Sequence, residues 1–363
     1  MNISQIDDNL ANCVVDGTDI TWIHWTDKIF SVHGIFYDEE EKLFMRVPKE
    51  TSEATLNPKL HPLVRMTSGG RIRFVTDSEY ISIKASLPYF SPIPSMSITT
   101  THGFSVYADG LYRNRYSPTF NKFLEAGEPD SNKRIFFSER KFIDSGKKDR
   151  LIEIYFPLYG GVSDIYIGID PGSTLKPAPS YKITKPLVFY GSSITQGACV
   201  TRPGNDYLSM LARMLDADYI NLGFSGNGNA EEPMIEYLSS IDASLFAFDY
   251  NMYQSKKDRV LPPYYSIYEK IRKKHPDSLI LMHDKPGCDY EPYPEREKII
   301  NDAYQKALAS GDKLVGFISA YDFFGDGNRD SCMVDVSHPS DIGAMRMANA
   351  IYSAIKQITE RKI

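Results

Sequence analysis

Two patterns of apolar and polar residues divide the chain near residue 175. Before it, short runs such as Arg71–Val75, Tyr80–Ala85 and Asp164–Ile169 alternate with period two, which predicts strands with one buried face. About nine or ten such runs, separated by glycine, proline, asparagine and aspartate, predict an all-β, jelly-roll-like sandwich. The other runs are Thr21 to Trp25, Ile29 to Tyr37, Gly103 to Ala108, Arg134 to Ser138 and Leu151 to Phe156.

After residue 175 the pattern changes to apolar runs that alternate with helical spacing. The proline-rich stretch 171–179 predicts a linker. Beyond it, alternating strands and helices predict an α/β fold, a parallel sheet covered by helices on both faces. We therefore predict an accessory β-sandwich over residues 1–175 and a second domain over residues 183–363. The expected strands are residues 187–190, 219–222, 245–249, 279–283 and 314–319.

Charge and composition exclude several classes of protein. The net charge is −6, and no basic stripe is visible, so nucleic acid is not an expected partner. No apolar run reaches the roughly 18 residues that a membrane helix needs. The first residues lack the basic and apolar regions of a signal peptide, which favours the cytoplasm, or secretion if a leader has been removed.

The spacing of cysteines and histidines predicts neither a metal site nor a disulfide framework. The four cysteines lie far apart and form no Cys-x-x-Cys pair, so we expect reduced thiols. None of the seven histidines has the spacing of a metal-ligand pair. We therefore expect no metal and no cofactor.

Candidate chemistry begins where the first apolar run of the α/β half ends. Gly191-Ser192-Ser193 follows this run, and a sharp turn there would lift a serine hydroxyl above the edge of the sheet, as a nucleophile requires. Asp335 and His338 follow near the C-terminus. Their Asp-x-x-His spacing suits a histidine base and an aspartate that orients it. Together these residues suggest acyl transfer.

Four segments, taken in order, resemble the conserved blocks of the SGNH (GDSL-type) hydrolases. Gly191–Thr195 is similar to block one, Asn221–Asn227 to block two, Asp249–Asn251 to block three and Asp335–His338 to block five. The resemblance covers about residues 183 to 363 and implies a flavodoxin-like parallel sheet. It is closest to a bacterial branch whose N-terminal β-sandwich also occurs in two-domain carbohydrate esterases.

The resemblance implies a role for each matching residue. Ser193 would be the nucleophile, His338 the base and Asp335 the residue that orients the imidazole. The backbone N–H groups of Ser193 and Gly226 and the side-chain amide of Asn251 would form the oxyanion hole. The implied reaction is hydrolysis of a carboxylic ester, with acetyl on a carbohydrate or oligosaccharide as the expected substrate.

The sequence departs from the family pattern beside the nucleophile. Many members have aspartate where this chain has Ser192, so the turn lacks its usual carboxylate and two adjacent serines compete for the nucleophile's role; we predict Ser193. Arg202 is a further candidate for substrate binding, and Asp249 is assigned no role. Two alternatives remain: a lipase or thioesterase with longer acyl substrates, and an inactive carbohydrate-binding protein.

Overall fold

The first half of the chain is built from antiparallel strands. The structure, a computed structural model, describes residues 19–55, 57–88, 93–118, 135–249, 264–287 and 294–361. The described strands of the first half are β1 (Thr21–His24), β2 (Ser31–His33), β3 (Phe36–Asp38), β4 (Leu43–Met45), β5 (Arg71–Thr76), β6 (Tyr80–Leu87), β7 (Phe104–Ala108), β8 (Leu111–Tyr116), β9 (Ile135–Phe142), β10 (Arg150–Tyr155), β11 (Asp164–Ile169) and β12 (Leu175–Lys176). Three short helices join them: α1 (Lys49–Ala54), α2 (Leu60–Val64) and α3 (Ile98–His102).

Ten of these strands form two larger sheets that share one core, whereas β3 and β4 pair only with each other. One sheet has the order β1-β11-β6-β9, and the other has the order β12-β5-β10-β7-β8 with β2 paired to β5. Alternate residues of each strand point inward, as in Ile72 and Phe74 of β5 and Ile81 and Ile83 of β6, and these four side chains are fully buried in the same cluster. The predicted all-β half is therefore present as two antiparallel sheets packed face to face.

Three local predictions for this half differ from the structure. The run Ile29 to Tyr37 is split into β2 and β3 around Gly34, whose φ of 74° a glycine adopts without strain. The predicted linker contains β12, in which Leu175 and Lys176 pair with Thr76 and Val75. The helices α1 to α3 lie in a half that was predicted to be all-β, because they are too short to give a periodic apolar pattern.

The second half has the predicted α/β architecture. Its sheet has the order β14-β13-β15-β16-β17 with all strands parallel, which is the flavodoxin-like order. The strands are β13 (Ile183–Gly191), β14 (Ala217–Gly223), β15 (Leu245–Phe248), β16 (Leu279–His283) and β17 (Val315–Ile318). The helices are α4 (Ser193–Gln196), α5 (Tyr207–Leu215), α6 (Glu232–Ser240), α7 (Tyr264–Lys274), α8 (Pro294–Ala309) and α9 (Asp341–Glu360).

Side-chain caps define where the longer helices begin. The Asp206 side chain accepts a hydrogen bond from the Ser209 N–H at the start of α5, and the Ser340 side chain accepts one from the Gly343 N–H at the start of α9. Both satisfy an N–H that has no partner within its helix. In the described part of the chain, no helix combines the length and apolar character needed to cross a membrane.

The two halves are joined by shared hydrophobic clusters. Met45 and Val64 of the first half lie in one cluster with Val188 and Phe224 of the second. The Arg46 side chain, 1% exposed, donates to the carbonyl oxygens of Asn221, Gly223 and Leu63 at 3.2, 2.6 and 2.6 Å. Because a buried guanidinium needs such partners, the end of β14 is held by the first half of the chain.

Candidate active site

A tight turn presents the candidate nucleophile at the carboxyl end of the sheet. β13 ends at Gly191, and α4 begins two residues later at Ser193. Ser192 caps this short helix by accepting a hydrogen bond from the Ile194 N–H at 3.3 Å. Gly197, at a φ of 98°, ends it, because only glycine adopts this left-handed backbone without strain. The turn therefore places Ser193 at the sheet edge where ligands bind in such folds.

A buried carboxylate from the neighbouring strand holds this turn. Asp249 directly follows β15 and is 3% exposed. Its Oδ1 accepts from the Ser192 N–H at 3.1 Å and from the Thr195 hydroxyl at 2.9 Å, and its Oδ2 accepts from the Ser192 hydroxyl at 2.9 Å. A Cβ on Gly191 would lie 1.4 Å from Asp249 Oδ1. Asp249, to which the sequence assigned no role, thus determines the shape of the nucleophile turn.

The candidate base and its orienting carboxylate lie on a closed loop before α9. An isolated bridge pairs Met333 with Pro339, and the Val334 N–H donates to the His338 carbonyl at 2.9 Å. Within the loop, Asp335 Oδ1 accepts from the backbone N–H groups of Ser337 and His338 at 2.7 and 2.8 Å. These two bonds orient the Asp335 carboxylate independently of the His338 ring.

The structure brings Ser193, His338 and Asp335 into one hydrogen-bonded chain. Ser193 Oγ lies 3.0 Å from His338 Nε2, and His338 Nδ1 lies 2.9 Å from Asp335 Oδ2. Partial burial alone would raise the pKa of Asp335, but bonds from the His338 ring and from the Ser337 and His338 N–H groups bring the pKa below its usual range. Asp335 therefore stays a carboxylate that can accept from the imidazole.

The predicted oxyanion donors are described only in part. The Ser193 N–H lies in the first turn of α4, where an N–H has no partner within the helix. Gly226 follows β14 at a φ of 64°, and its loop is tied to the nucleophile turn because the Ser225 N–H donates to Gln196 Oε1 at 2.9 Å. Asn251 lies outside the described residues, so its predicted role stays a prediction.

Arg202, the further candidate for substrate binding, and the histidine that ends β16 have other contacts. The Arg202 guanidinium lies over the Tyr112 ring, 3.9 Å from its centroid, so its described contact is with the first half of the chain. His283 ends β16 on the same edge as Ser193, but it is 1% exposed and its ring packs edge-on against Phe323. His338, and not His283, is the histidine at the nucleophile.

The first half of the chain also reaches the nucleophile turn. The Tyr159 hydroxyl donates to the carbonyl oxygen of Ser193 at 3.3 Å, and the Ser68 hydroxyl donates to that of Gln196 at 2.6 Å. Tyr159 is 3% exposed, so it supports the turn from beneath. Sequence patterns give no sign of these contacts. Ser68 and Gln196 lie more than a hundred positions apart, and Tyr159 belongs to an aromatic run that is typical of any protein core.

Comparison with protein families assigns both halves of the chain. Residues 184–356 match the model of the GDSL-like lipase/acylhydrolase family. The second half belongs to this family. Residues 20–175 match the N-terminal region of SGNH hydrolase-type esterases, so the β half corresponds to the region that precedes the hydrolase domain in such proteins. Membership of this family makes the chain a hydrolase that acts on esters. The comparison with curated proteins gives no match.

Solved structures share the two-domain fold. A GDSL-like lipase from Bacteroides ovatus is 24% identical, with a TM-score of 0.77 over 94% of this chain and 98% of that one. The salicylyl-acyltransferase SsfX3 of a tetracycline pathway is 16% identical, with a TM-score of 0.73 over 94% and 98%. A family two carbohydrate esterase from Cellvibrio japonicus is 12% identical, with a TM-score of 0.58 over 95% and 99%. At these identities the likeness concerns the fold.

Proposed function

We propose that this protein is a serine esterase that removes acetyl groups from carbohydrate-type substrates. The observation that carries the proposal is the chain from Ser193 Oγ to His338 Nε2 at 3.0 Å and from His338 Nδ1 to Asp335 Oδ2 at 2.9 Å. A hydroxyl, an imidazole and a carboxylate at these distances are the parts that serine acyl transfer needs.

In the proposed reaction His338 takes the proton of Ser193 as its Oγ attacks the ester carbonyl. Asp335 accepts from the other imidazole nitrogen and stabilises the imidazolium. The backbone N–H groups of Ser193 and Gly226 bind the oxyanion, with Asn251 as the third donor. Collapse of the intermediate breaks the ester bond, and His338 gives its proton to the leaving alcohol. Water then attacks the acyl-enzyme and releases acetate, with His338 again as the base.

Exposure of the base supports water as the acyl acceptor. The side chains of Asp335 and His338 are 42% and 25% exposed, so water reaches the imidazole that must activate it. The choice of carbohydrate esters rests on the shared architecture, because structures with this two-domain fold include family two carbohydrate esterases.

Two substrate series test the proposal. In p-nitrophenyl esters of increasing chain length, we expect rapid hydrolysis of acetate and propionate and slow hydrolysis of hexanoate and octanoate. The reverse order would favour a lipase or thioesterase. Acetylated oligosaccharides incubated with the enzyme should lose acetyl groups by mass spectrometry. Sugar binding without turnover of any ester, and without labelling by a fluorophosphonate, would instead indicate an inactive binding protein.

A further inference from the structure

A thiol that the proposed reaction does not use lies beside the triad. The Sγ of Cys199, a carboxylate oxygen of Asp335 and a ring nitrogen of His338 all lie within 4.8 Å of one another. Cys199 is 7% exposed, whereas the side chains of Asp335 and His338 are 42% and 25% exposed. The cluster is therefore closed by the thiol and open to solvent on the side of the carboxylate and the imidazole.

The backbone holds this thiol in an unusual conformation. Cys199 has a φ of 66°, in the left-handed region that residues with a side chain seldom adopt. The preceding residue ties it to the nucleophile turn, because the Ala198 N–H donates to the Ser193 carbonyl at 2.9 Å. Such strain is typical of functional sites.

The environment of Cys199 does not suit a nucleophile. Burial and, to a smaller extent, the charge of Asp335 raise the pKa of Cys199 above its usual value, against the opposing hydrogen bond from Ser95. A thiolate is the reactive form of cysteine, so this environment disfavours attack on an ester or a peroxide. Ser193, hydrogen-bonded to His338, is the better nucleophile of the two.

The donor atoms of the cluster suit a zinc ion. Zinc binds cysteine sulfur, histidine nitrogen and carboxylate oxygen at about 2.0–2.3 Å in a tetrahedral arrangement. Ligand atoms around such an ion are about 3.2–3.7 Å apart, so closing the present cluster needs side-chain shifts of about 1 Å. We propose that Cys199, Asp335 and His338 form a zinc site that switches the enzyme off, an inference that rests on the proposed function of the triad.

The ion would stop the reaction by occupying the groups that move the proton. On binding, the Cys199 thiol releases its proton to solvent, and the imidazole binds the ion through a neutral nitrogen. If that nitrogen is Nδ1, His338 loses its orientation by Asp335; if it is Nε2, His338 loses the lone pair that accepts the Ser193 proton. Water fills the fourth position. Magnesium prefers oxygen ligands and should not bind here.

Zinc inhibition of matched cysteine variants tests the site. Each protein hydrolyses p-nitrophenyl acetate at increasing zinc concentration, and each rate is expressed relative to the same protein without metal. We expect reversible inhibition of the wild type, relieved by a chelator, and no effect of magnesium. Cys199→Ser should need more than about 100-fold more zinc, because even residues that only support metal ligands are worth about 10–100-fold in affinity.

Two further variants serve as controls in the same assay. Cys332→Ser changes another buried, free cysteine and should keep the zinc sensitivity of the wild type. Cys199→Gly removes the thiol with a residue that suits the positive φ, and should match Cys199→Ser. Equal inhibition of wild type and both Cys199 variants, or no inhibition at all, would overturn the proposal.

A binding measurement separates the metal site from the proposed function. Cobalt bound to a thiolate gives a sulfur-to-metal absorption band, which we expect in Ser193→Ala and not in Ser193→Ala/Cys199→Ser. The lack of a Cys199-dependent band would overturn the metal site even if the enzyme is an active esterase. A Cys199-dependent band with undiminished wild-type activity at saturating metal would overturn the switch, and with it the catalytic roles proposed for Asp335 and His338.

Discussion

The carboxylate that shapes the nucleophile turn comes from a different strand than in many SGNH hydrolases. Those members carry aspartate at the position of Ser192, next to the nucleophile. Here Ser192 donates to Asp249 through both its N–H and its hydroxyl, and Thr195 donates to the same carboxylate. The carboxylate therefore remains at the turn, and the hydroxyl of Ser192 connects to it.

Removing the charge of Asp249 should impair the chemical step and leave substrate binding largely intact. We expect Asp249→Asn to lower kcat by about 10- to 100-fold with little change in KM, because hydrogen bonds to a charged group are worth about 1.5–3 kcal/mol. Steady-state kinetics on p-nitrophenyl acetate measures both constants. If Asp249→Asn lowers the thermal stability but leaves kcat unchanged, Asp249 has only a structural role.

Moving the carboxylate to the family position should restore part of this loss. Ser192→Asp alone would put two carboxylates side by side, and their repulsion should lower both stability and kcat. The double variant Ser192→Asp/Asp249→Ser keeps only one carboxylate. We expect its kcat to exceed that of Ser192→Asp alone and that of Asp249→Ser alone. Additive losses in this double-mutant cycle would contradict the idea that one carboxylate serves both positions.

At the scale of secondary-structure elements, parallel strand pairing brings the site together. Tyr190 of β13 pairs with Phe248 of β15, so Gly191 and Asp249, the next residues of each chain segment, lie side by side. The ends of both apolar runs are visible in the sequence, and aligning them would have indicated this contact. The strands themselves could be predicted because buried parallel strands are continuous apolar runs.

Other parts of the site depend on contacts that no local pattern encodes. The closeness of Cys199 to Asp335 and His338 arises from the packing of two loops, and the cysteine spacing gave no hint of it. The same holds for Arg46, whose burial against β14 carbonyls requires the docked fold. The sequence thus predicted elements and family blocks, whereas contacts between distant loops required the structure.

The end of β16 should make the protein sensitive to acid. Burial, only partly opposed by the charge of Asp249, lowers the pKa of His283 to about 4, against an ordinary value of 6.5. Between pH 6.5 and 4 the unfolded chain binds a proton that the folded chain excludes, so stability falls as the pH falls through this window. The contribution of His283 to this loss is about 3 kcal/mol.

A variant that lacks the His283 imidazole tests this pH dependence. His283 Nδ1 lies 3.0 Å from the Asp284 carbonyl oxygen, and the amide of His283→Asn can keep that hydrogen bond without titrating. Urea unfolding between pH 4 and 7 should give a flatter dependence of the unfolding free energy for the variant. Parallel curves for wild type and variant would exclude His283 as the source.

On the scale of the whole molecule, the two halves share buried contacts, and we expect them to fold as one unit. Two hydrophobic clusters contain buried residues from both halves, and the fully buried guanidinium of Arg71 in the first half forms an ion pair with the partly buried Asp218 of the second. Separating the halves would expose apolar surface and leave buried charges without partners, which is strongly destabilising. The two halves therefore share buried core residues, and we expect the catalytic half to depend on the β half for its stability.

This dependence predicts how the chain unfolds. The full chain should unfold in a single cooperative transition by heat or urea, followed by circular dichroism and fluorescence together. Residues 183–363 expressed alone should bind a hydrophobic dye and lack ordered near-ultraviolet dichroism. Two separate transitions in the full chain, or an isolated second half with native dichroism and full esterase activity, would contradict a shared core.

The most direct test of the proposed mechanism compares the two adjacent serines. We expect Ser193→Ala to lower kcat/KM for p-nitrophenyl acetate by at least about 10⁴-fold and to abolish fluorophosphonate labelling, as loss of a serine nucleophile does. Ser192→Ala, which removes one hydrogen bond to Asp249, should lower kcat/KM only about 10- to 100-fold. Retained activity and labelling in Ser193→Ala, or a larger loss in Ser192→Ala, would contradict the account.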